Sequence, residues 1–203
     1  MSDKKETMKT PEDYYKQALE HNFIKRKLEE LQKYDNYTYN HSLSVAKASL
    51  ELGEKTGLKG MEMENLAYAA LLHDIGKMKI NKTIIQKDGV LTEKERRIIR
   101  LHPLYGAKQI YPKDIFPADV RTGILMHHEN YNGTGYITKF HGREIPVIAR
   151  IIRITDSYDA MQDDRPYQKH REKEEILQIL EEEKGVSYDP EIFELFLQIK
   201  MKI

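Results

Sequence analysis

Five of the eight histidines stand in company that suits chemistry: His41, His73 beside Asp74, His102, and the adjacent pair His127 and His128. Asp156 joins them as an acid in an otherwise apolar stretch with Ile151, Ile152 and Ile154. Asp74 likewise ends a segment too apolar to waste a charge. A carboxylate buried alone costs several kcal/mol unless a cation or hydrogen bonds offset it.

Each feature has a plainer reading. A lone His41 on a half-apolar helix is more often a core histidine with its hydrogen bonds satisfied. His102 before Pro103 can simply end a helix, and Asp156 can cap a neighbour. The doublets resist this treatment. Adjacent helical residues point about 100° apart, so neither His73-Asp74 nor His127-His128 serves a single packing face, and each can reach two different ions. Imidazole and carboxylate without sulfur suit iron, manganese, zinc or nickel better than copper(I) or a structural zinc cage. Two ions about 3.5–4 Å apart clamp the attacking and leaving oxygens of a displacement at phosphorus and lower the pKa of a shared water. Asp74 is the expected bridging carboxylate.

Helices must position these groups. Apolar residues at Tyr14, Tyr15, Ala18, Phe23, Leu28 and Leu31 predict one amphipathic helix over Pro11 to about Lys33, behind a polar start. A second helix runs from the break at Asp35-Asn36 through His41, Val45, Ala46 and Leu50 to about Gly53–Gly57. A third spans about Met61 to Ile75, and its stretch from Leu66 to Leu72 is apolar all round, the pattern of a buried central helix. Thr92 and Glu95 form a capping box that opens a fourth, which Pro103 should break or kink. A fifth covers about Ala118 to Glu129, ahead of the loop Asn132-Gly133-Thr134-Gly135-Tyr136. Ile145 to about Met161 resumes the 3.6-residue period, with Pro146 in its first turn. Helices over about Lys173–Glu183 and Asp189–Lys200 complete an all-α chain without strands or internal repeats.

Composition narrows the classes. The 203 residues fit one compact domain, or one domain with a small helical extension. A formal net charge of zero gives no global field to draw in a nucleic acid polymer, so an anionic small molecule must be held by local cations. Without cysteine there is no thiolate nucleophile and no disulfide framework. No apolar run approaches the roughly 18–20 residues of a spanning helix, and the start has no signal-peptide segment. A soluble, cytoplasmic protein without membrane contact is expected.

His73-Asp74-Ile75-Gly76-Lys77 resembles the core motif of the HD superfamily of metal-dependent phosphohydrolases. His127-His128-Glu129-Asn130-Tyr131-Asn132-Gly133-Thr134-Gly135-Tyr136 resembles the second motif of the HD-GYP subfamily. The likeness continues through Ile145-Pro146, Ala149-Arg150-Ile151, Asp156-Ser157-Tyr158-Asp159-Ala160-Met161 and Arg165-Pro166-Tyr167. It implies an HD-domain helical bundle with HD-GYP-type C-terminal helices over residues 36–203, behind an N-terminal tail and amphipathic helix over 1–35. It also implies hydrolysis of cyclic di-GMP or a related cyclic dinucleotide. By motif position, His41, His73, Asp74, His102, His127, His128 and Asp156 are the metal ligands. Asp74 and Lys77 are catalytic, Lys77 at the scissile phosphate, and Lys77, Tyr136 and Arg165 contact substrate. The expected cofactor is two divalent ions, iron or manganese first, with zinc, nickel or magnesium as alternatives.

The chain departs from the subfamily pattern at four positions. Tyr37 stands one turn before His41, where trinuclear members carry glutamate, which favours two metals over three. Ile137 replaces the proline of the Gly-Tyr-Pro triplet, Asn132 an aspartate, and Gln168 a basic residue. Two other readings stay open: an HD phosphohydrolase acting on a mononucleotide or alarmone, and a degenerate module that binds a nucleotide without turning it over. The N-terminal helix can pack on the core or form a dimer contact, and a second copy of the chain or a signalling protein is the macromolecular partner to consider.

Overall fold

A computed structural model describes residues 9–111, 115–162 and 171–201. The described residues form eleven α-helices: α1 (Pro11–Glu20), α2 (Asn22–Tyr34), α3 (Asn36–Lys55), α4 (Met61–Leu72), α5 (Lys82–Ile85), α6 (Glu93–Ile99), α7 (His102–Ile110), α8 (Ala118–Met126), α9 (Val147–Gln162), α10 (Lys173–Glu182) and α11 (Pro190–Met201). Short 3-10 helices cover Ile75–Lys79 and Gly142–Glu144. Among the described residues there is no strand, only an isolated bridge between Lys184 and Tyr188. The all-α expectation holds. No helix among these residues is long and apolar enough to cross a membrane.

As its apolar circumference predicts, α4 is the central helix. Leu66, Ala67, Ala69, Ala70, Leu71 and Leu72 are wholly buried, with α3 packed along one side and α8 along another, while α9 crosses α3 and α8. The approach of α8 depends on a missing side chain. A Cβ at Gly123 would lie 2.7 Å from Ile148 Cγ2 and 3.0 Å from Ala69 Cβ, so only glycine lets α4, α8 and α9 meet there.

The single N-terminal helix expected over Pro11–Lys33 is two helices. The chain turns extended at His21, at φ −68° and ψ 116°. The cause is a phase slip in the apolar stripe. At about 100° per residue, Tyr14, Tyr15 and Ala18 centre on a direction roughly 140° from that of Phe23, Ile24, Leu28 and Leu31, so one straight helix could not turn both sets fully to the core. Bending at His21 buries both in the same core as α3 and α4.

Helix ends also depart from the expectation in ways that matter for the site. The capping box between Thr92 and Glu95 forms as predicted. The expected break before Pro103 also occurs: α6 ends at Ile99, and Pro103 lies in the first turn of a new helix, α7. α4 stops at Leu72, short of Ile75, and α8 at Met126, short of Glu129. His73 and His127 cap these helices, and Asp74 turns away at φ −100° and ψ 1°. The doublets therefore sit at helix C-termini, not inside helices. α11 is capped as expected, with Asp189 Oδ1 accepting from the backbone N–H groups of Glu191 and Ile192. The four-residue α5 has no counterpart in the sequence reading.

Candidate metal centre

Helix ends leave their last carbonyls without intrahelical partners, and this chain uses three of them to aim imidazoles. His73 Nδ1 donates to Ala70 O at 2.8 Å, His102 Nδ1 to Ile99 O at 2.8 Å, and His127 Nδ1 to Ile124 O at 2.7 Å. With the proton on Nδ1, a neutral ring carries its lone pair on Nε2. These orphan carbonyls at the ends of α4, α6 and α8 thus fix both ring orientation and tautomer, the role an outer-shell acceptor plays for a metal-binding histidine.

The three lone pairs converge. His102 Nε2 and His127 Nε2 face each other at 3.1 Å, a contact between two acceptors that needs a cation or a proton to be stable. His73 Nε2 is buried with no hydrogen-bond partner, which is costly for a polar atom. Two groups of donors have ligand atoms within 4.8 Å of one another: His41, His73 and Asp74 in one, and His102, His127 and His128 in the other. Asp74 faces both, with Oδ1 3.2 Å from His102 Nε2 and Oδ2 3.4 Å from His73 Nε2 and 3.8 Å from His41 Nε2. Asp156 lies between His41 and His128: its Oδ1 is 2.9 Å from His41 Nε2 and its Oδ2 3.9 Å from His128 Nδ1. The chemistry of these donors fits a pair of divalent cations.

Electrostatics prepare the donors. Burial opposes charge on Asp74, but Lys77 and His73 outweigh it and hold the carboxyl well below its usual range. Asp156 is held low in the same way, by His41 and His128 against its burial. Burial brings His102 down to about 4 and takes His127 and His128 well below their ordinary value, so these rings stay neutral. His41 differs. Burial disfavours its charge, yet bonds to Asp156 and, at 2.6 Å, to Asp159 raise it to about 10.

The centre lies at the floor of a cleft of about 340 Å³. Lys77, Arg96 and Arg100 bring positive charge to its walls, and Tyr37 and Tyr136 bring aromatic rings. Lys77 Nζ lies 2.5 Å from Asp74 Oδ2. The Tyr37 ring is nearly parallel to His41, centroids 6.3 Å apart. Tyr136 sits 5.3 Å from the His128 ring. Arg165 and Gln168 lie outside the described residues.

The comparisons with known proteins agree with this geometry. The family model described as HD domain matches residues 19–192. The chain belongs to the HD domain family. This HD domain is 35% identical over 164 residues to a cyclic di-GMP phosphodiesterase of Pseudomonas aeruginosa, an alignment spanning 81% of this chain and 39% of that protein. It is 35% identical over 157 residues to 3'3'-cGAMP-specific phosphodiesterase 3 of Vibrio cholerae, spanning 77% and 34% respectively. The chain thus spans well under half the length of these relatives. The resemblance to the HD-GYP subfamily read from the motifs stands with these matches. In fold, it resembles an HDG"Y"P protein from Bdellovibrio bacteriovorus, with a TM-score of 0.68 and 19% identity over 96% of this chain and 65% of that one.

Several residues with work in this HD domain had no role assigned from sequence. Asp159 bonds the outer nitrogen of His41. Glu129 is buried, and its Oε1 accepts from the backbone N–H groups of Ile137 and Thr138 at 3.0 and 2.6 Å. Proline at 137 could not donate the first of these bonds, so Ile137 ties the loop to the carboxylate beside His128. Gly135 is required by the same contact, because a Cβ there would fall 2.3 Å from Glu129 Oε2. Asn132 forms the expected turn, its Oδ1 accepting from the Thr134 backbone N–H at 3.0 Å. Asp159 and Glu129 stand within the motif-like stretches, but only their long-range partners disclose what they do.

Proposed function

We propose that this HD domain is a cyclic-dinucleotide phosphodiesterase, with cyclic di-GMP its first candidate substrate, acting through two divalent ions. The observation that carries the reading is the position of Asp74, a donor of one three-donor group that also faces the other, at the floor of a cation-walled cleft. His41, His73 and Asp74 would hold one ion and His102, His127 and His128 the other, with Asp74 shared and Asp156 completing the set. Iron or manganese suits this nitrogen and oxygen donor set, with zinc, nickel or magnesium as alternatives. When bound, the ions supply Lewis-acid charge and lower the pKa of a water at the centre.

The chain's own groups supply the rest. Lys77, on the turn that follows Asp74, sets an ammonium at the cleft where charge grows on the scissile phosphate. Tyr136 presents an exposed ring at the cleft wall beside His128, placed to meet the substrate, and Arg165 is the further substrate contact the motif suggests. The names of the two relatives, a cyclic di-GMP and a 3'3'-cGAMP phosphodiesterase, favour a cyclic dinucleotide over a mononucleotide.

Turnover of cyclic di-GMP, 3'3'-cGAMP and guanosine tetraphosphate by metal-loaded protein, with product chromatography, tests this. A linear dinucleotide or mononucleotides from one of the cyclic substrates is expected. Hydrolysis of guanosine tetraphosphate alone would move the site to the alarmone reading, and binding without turnover would leave a nucleotide sensor.

A further inference from the structure

The charges on the cleft walls exceed what one phosphodiester needs. Arg96 and Arg100 lie one helical turn apart, on α6 and its C-terminal cap, so their side chains share a face, and both line the cleft above the metal centre. Their platform is pinned: Glu95 caps α6 through Thr92 and pairs with Lys87 at 2.7 Å. Among the described residues Arg96 shares its charge with Glu93 at 3.4 Å, whereas no carboxylate pairs with Arg100. The Arg100 guanidinium instead lies 5.5 Å from the centre of the Tyr136 ring, itself 5.3 Å from the ring of His128. Lys77 is engaged with Asp74 at 2.5 Å, so it is directed to the floor of the cleft, not its rim.

We infer that Arg96 and Arg100 form a second anion subsite that takes the phosphodiester of a cyclic dinucleotide not being cleaved. This rests on the functional reading above. A cyclic dinucleotide carries two diester charges on one ring. With one diester over the metal centre, the other needs a counter-charge within the same cleft, because a chain of zero net charge offers no long-range field. A guanidinium meets two phosphate oxygens with parallel hydrogen bonds, and Arg100, held by an aromatic face instead of a carboxylate, can do so without breaking an ion pair. The subsite selects substrates with two phosphates and takes no part in bond cleavage.

The test compares two substrates in the metal-loaded full chain: cyclic di-GMP, with two diesters, and bis(p-nitrophenyl) phosphate, with one. In the double variant Arg96→Gln/Arg100→Gln, KM for cyclic di-GMP should rise about tenfold with kcat changed less than about twofold. kcat/KM for bis(p-nitrophenyl) phosphate should stay within about twofold, which also reports an intact centre. Arg100→Gln alone should account for most of the effect. An unchanged KM for cyclic di-GMP overturns the inference, as does an equal loss on both substrates, which would put the arginines at the scissile diester or in the support of the fold. A wild-type chain that cleaves bis(p-nitrophenyl) phosphate but no cyclic dinucleotide overturns the functional reading and this subsite with it.

Discussion

Asp74 Oδ1 lies 3.2 Å from His102 Nε2 although Asp74 leaves the end of α4 and His102 opens α7. The contact joins the two donor groups through one carboxylate, since Asp74 Oδ2 turns toward His73 and His41. What brings the two together is backbone proximity: a Cβ on Gly76 would fall 1.9 Å from the His102 carbonyl oxygen. The HD motif and the histidine 28 positions beyond Asp74 are packed with no side chain between them.

A carboxylate shared by two ions is the residue whose loss should empty both positions. Asp74→Asn keeps the shape and removes the charge. Metal content measured by elemental analysis should fall to background, and hydrolysis with it. A variant that retains metal and near-normal activity would remove Asp74 from the bridge.

Lys77→Ala separates binding of metal from the chemical step. The ammonium is not a metal donor, so metal content should match the wild type while kcat falls by about 10²-fold, the usual cost of one charged stabilising group. Loss of metal from this variant would make Lys77 a support for Asp74 and not a catalytic group.

The pH dependence of the metal-free protein follows from two opposed shifts. His41 is raised from 6.5 to about 10, so the folded state keeps a proton that the unfolded chain releases. That stabilisation is fully present below 6.5 and is lost as pH rises toward 10. His102 is lowered from 6.5 to about 4, so its contribution is present above 6.5 and lost as pH falls through 4, with His127 and His128 acting in the same direction. Thermal unfolding in chelator should therefore show greatest stability near pH 6.5. Metal held through His41 would displace its proton, and its addition should then flatten the alkaline side. A chelated protein whose Tm climbs steadily from pH 6.5 to 9 would contradict the paired shifts.

Gly76→Ala tests the close approach that seats His102. The added methyl meets backbone, not a flexible side chain, with Gly106 N also 2.5 Å away, so the 3-10 helix and α7 must separate. A loss of about 1–3 kcal/mol in unfolding free energy is expected, with weaker metal binding. Unchanged metal affinity would show that His102 is held by other contacts.

Much of this was legible in the sequence because the informative residues carry their own contradiction: His73-Asp74 and His127-His128 are too polar for the apolar helices that end in them. The central helix was readable for the same reason. The helix stops at Leu72 and Met126 were not, because Ile75 continues the apolar period of α4 and no glycine or proline marks the end until Gly76. The bend at His21 was present as a slip in the apolar stripe, but its two halves look like one amphipathic pattern when only residue types are counted. Asp159 could not be paired with His41, 118 positions away, by any local rule. Arg96 and Arg100 carry no local signal, because nothing in the sequence says that this face of α6 overlooks the cleft.

The most direct test is the metal content of protein purified without chelator, read together with its hydrolysis of cyclic di-GMP before and after chelation. The expected result is about two divalent ions per chain, with activity lost on their removal and restored by adding iron or manganese. A chain that binds one ion or none under these conditions, or that hydrolyses cyclic di-GMP equally well in chelator, would contradict a dinuclear centre built on Asp74.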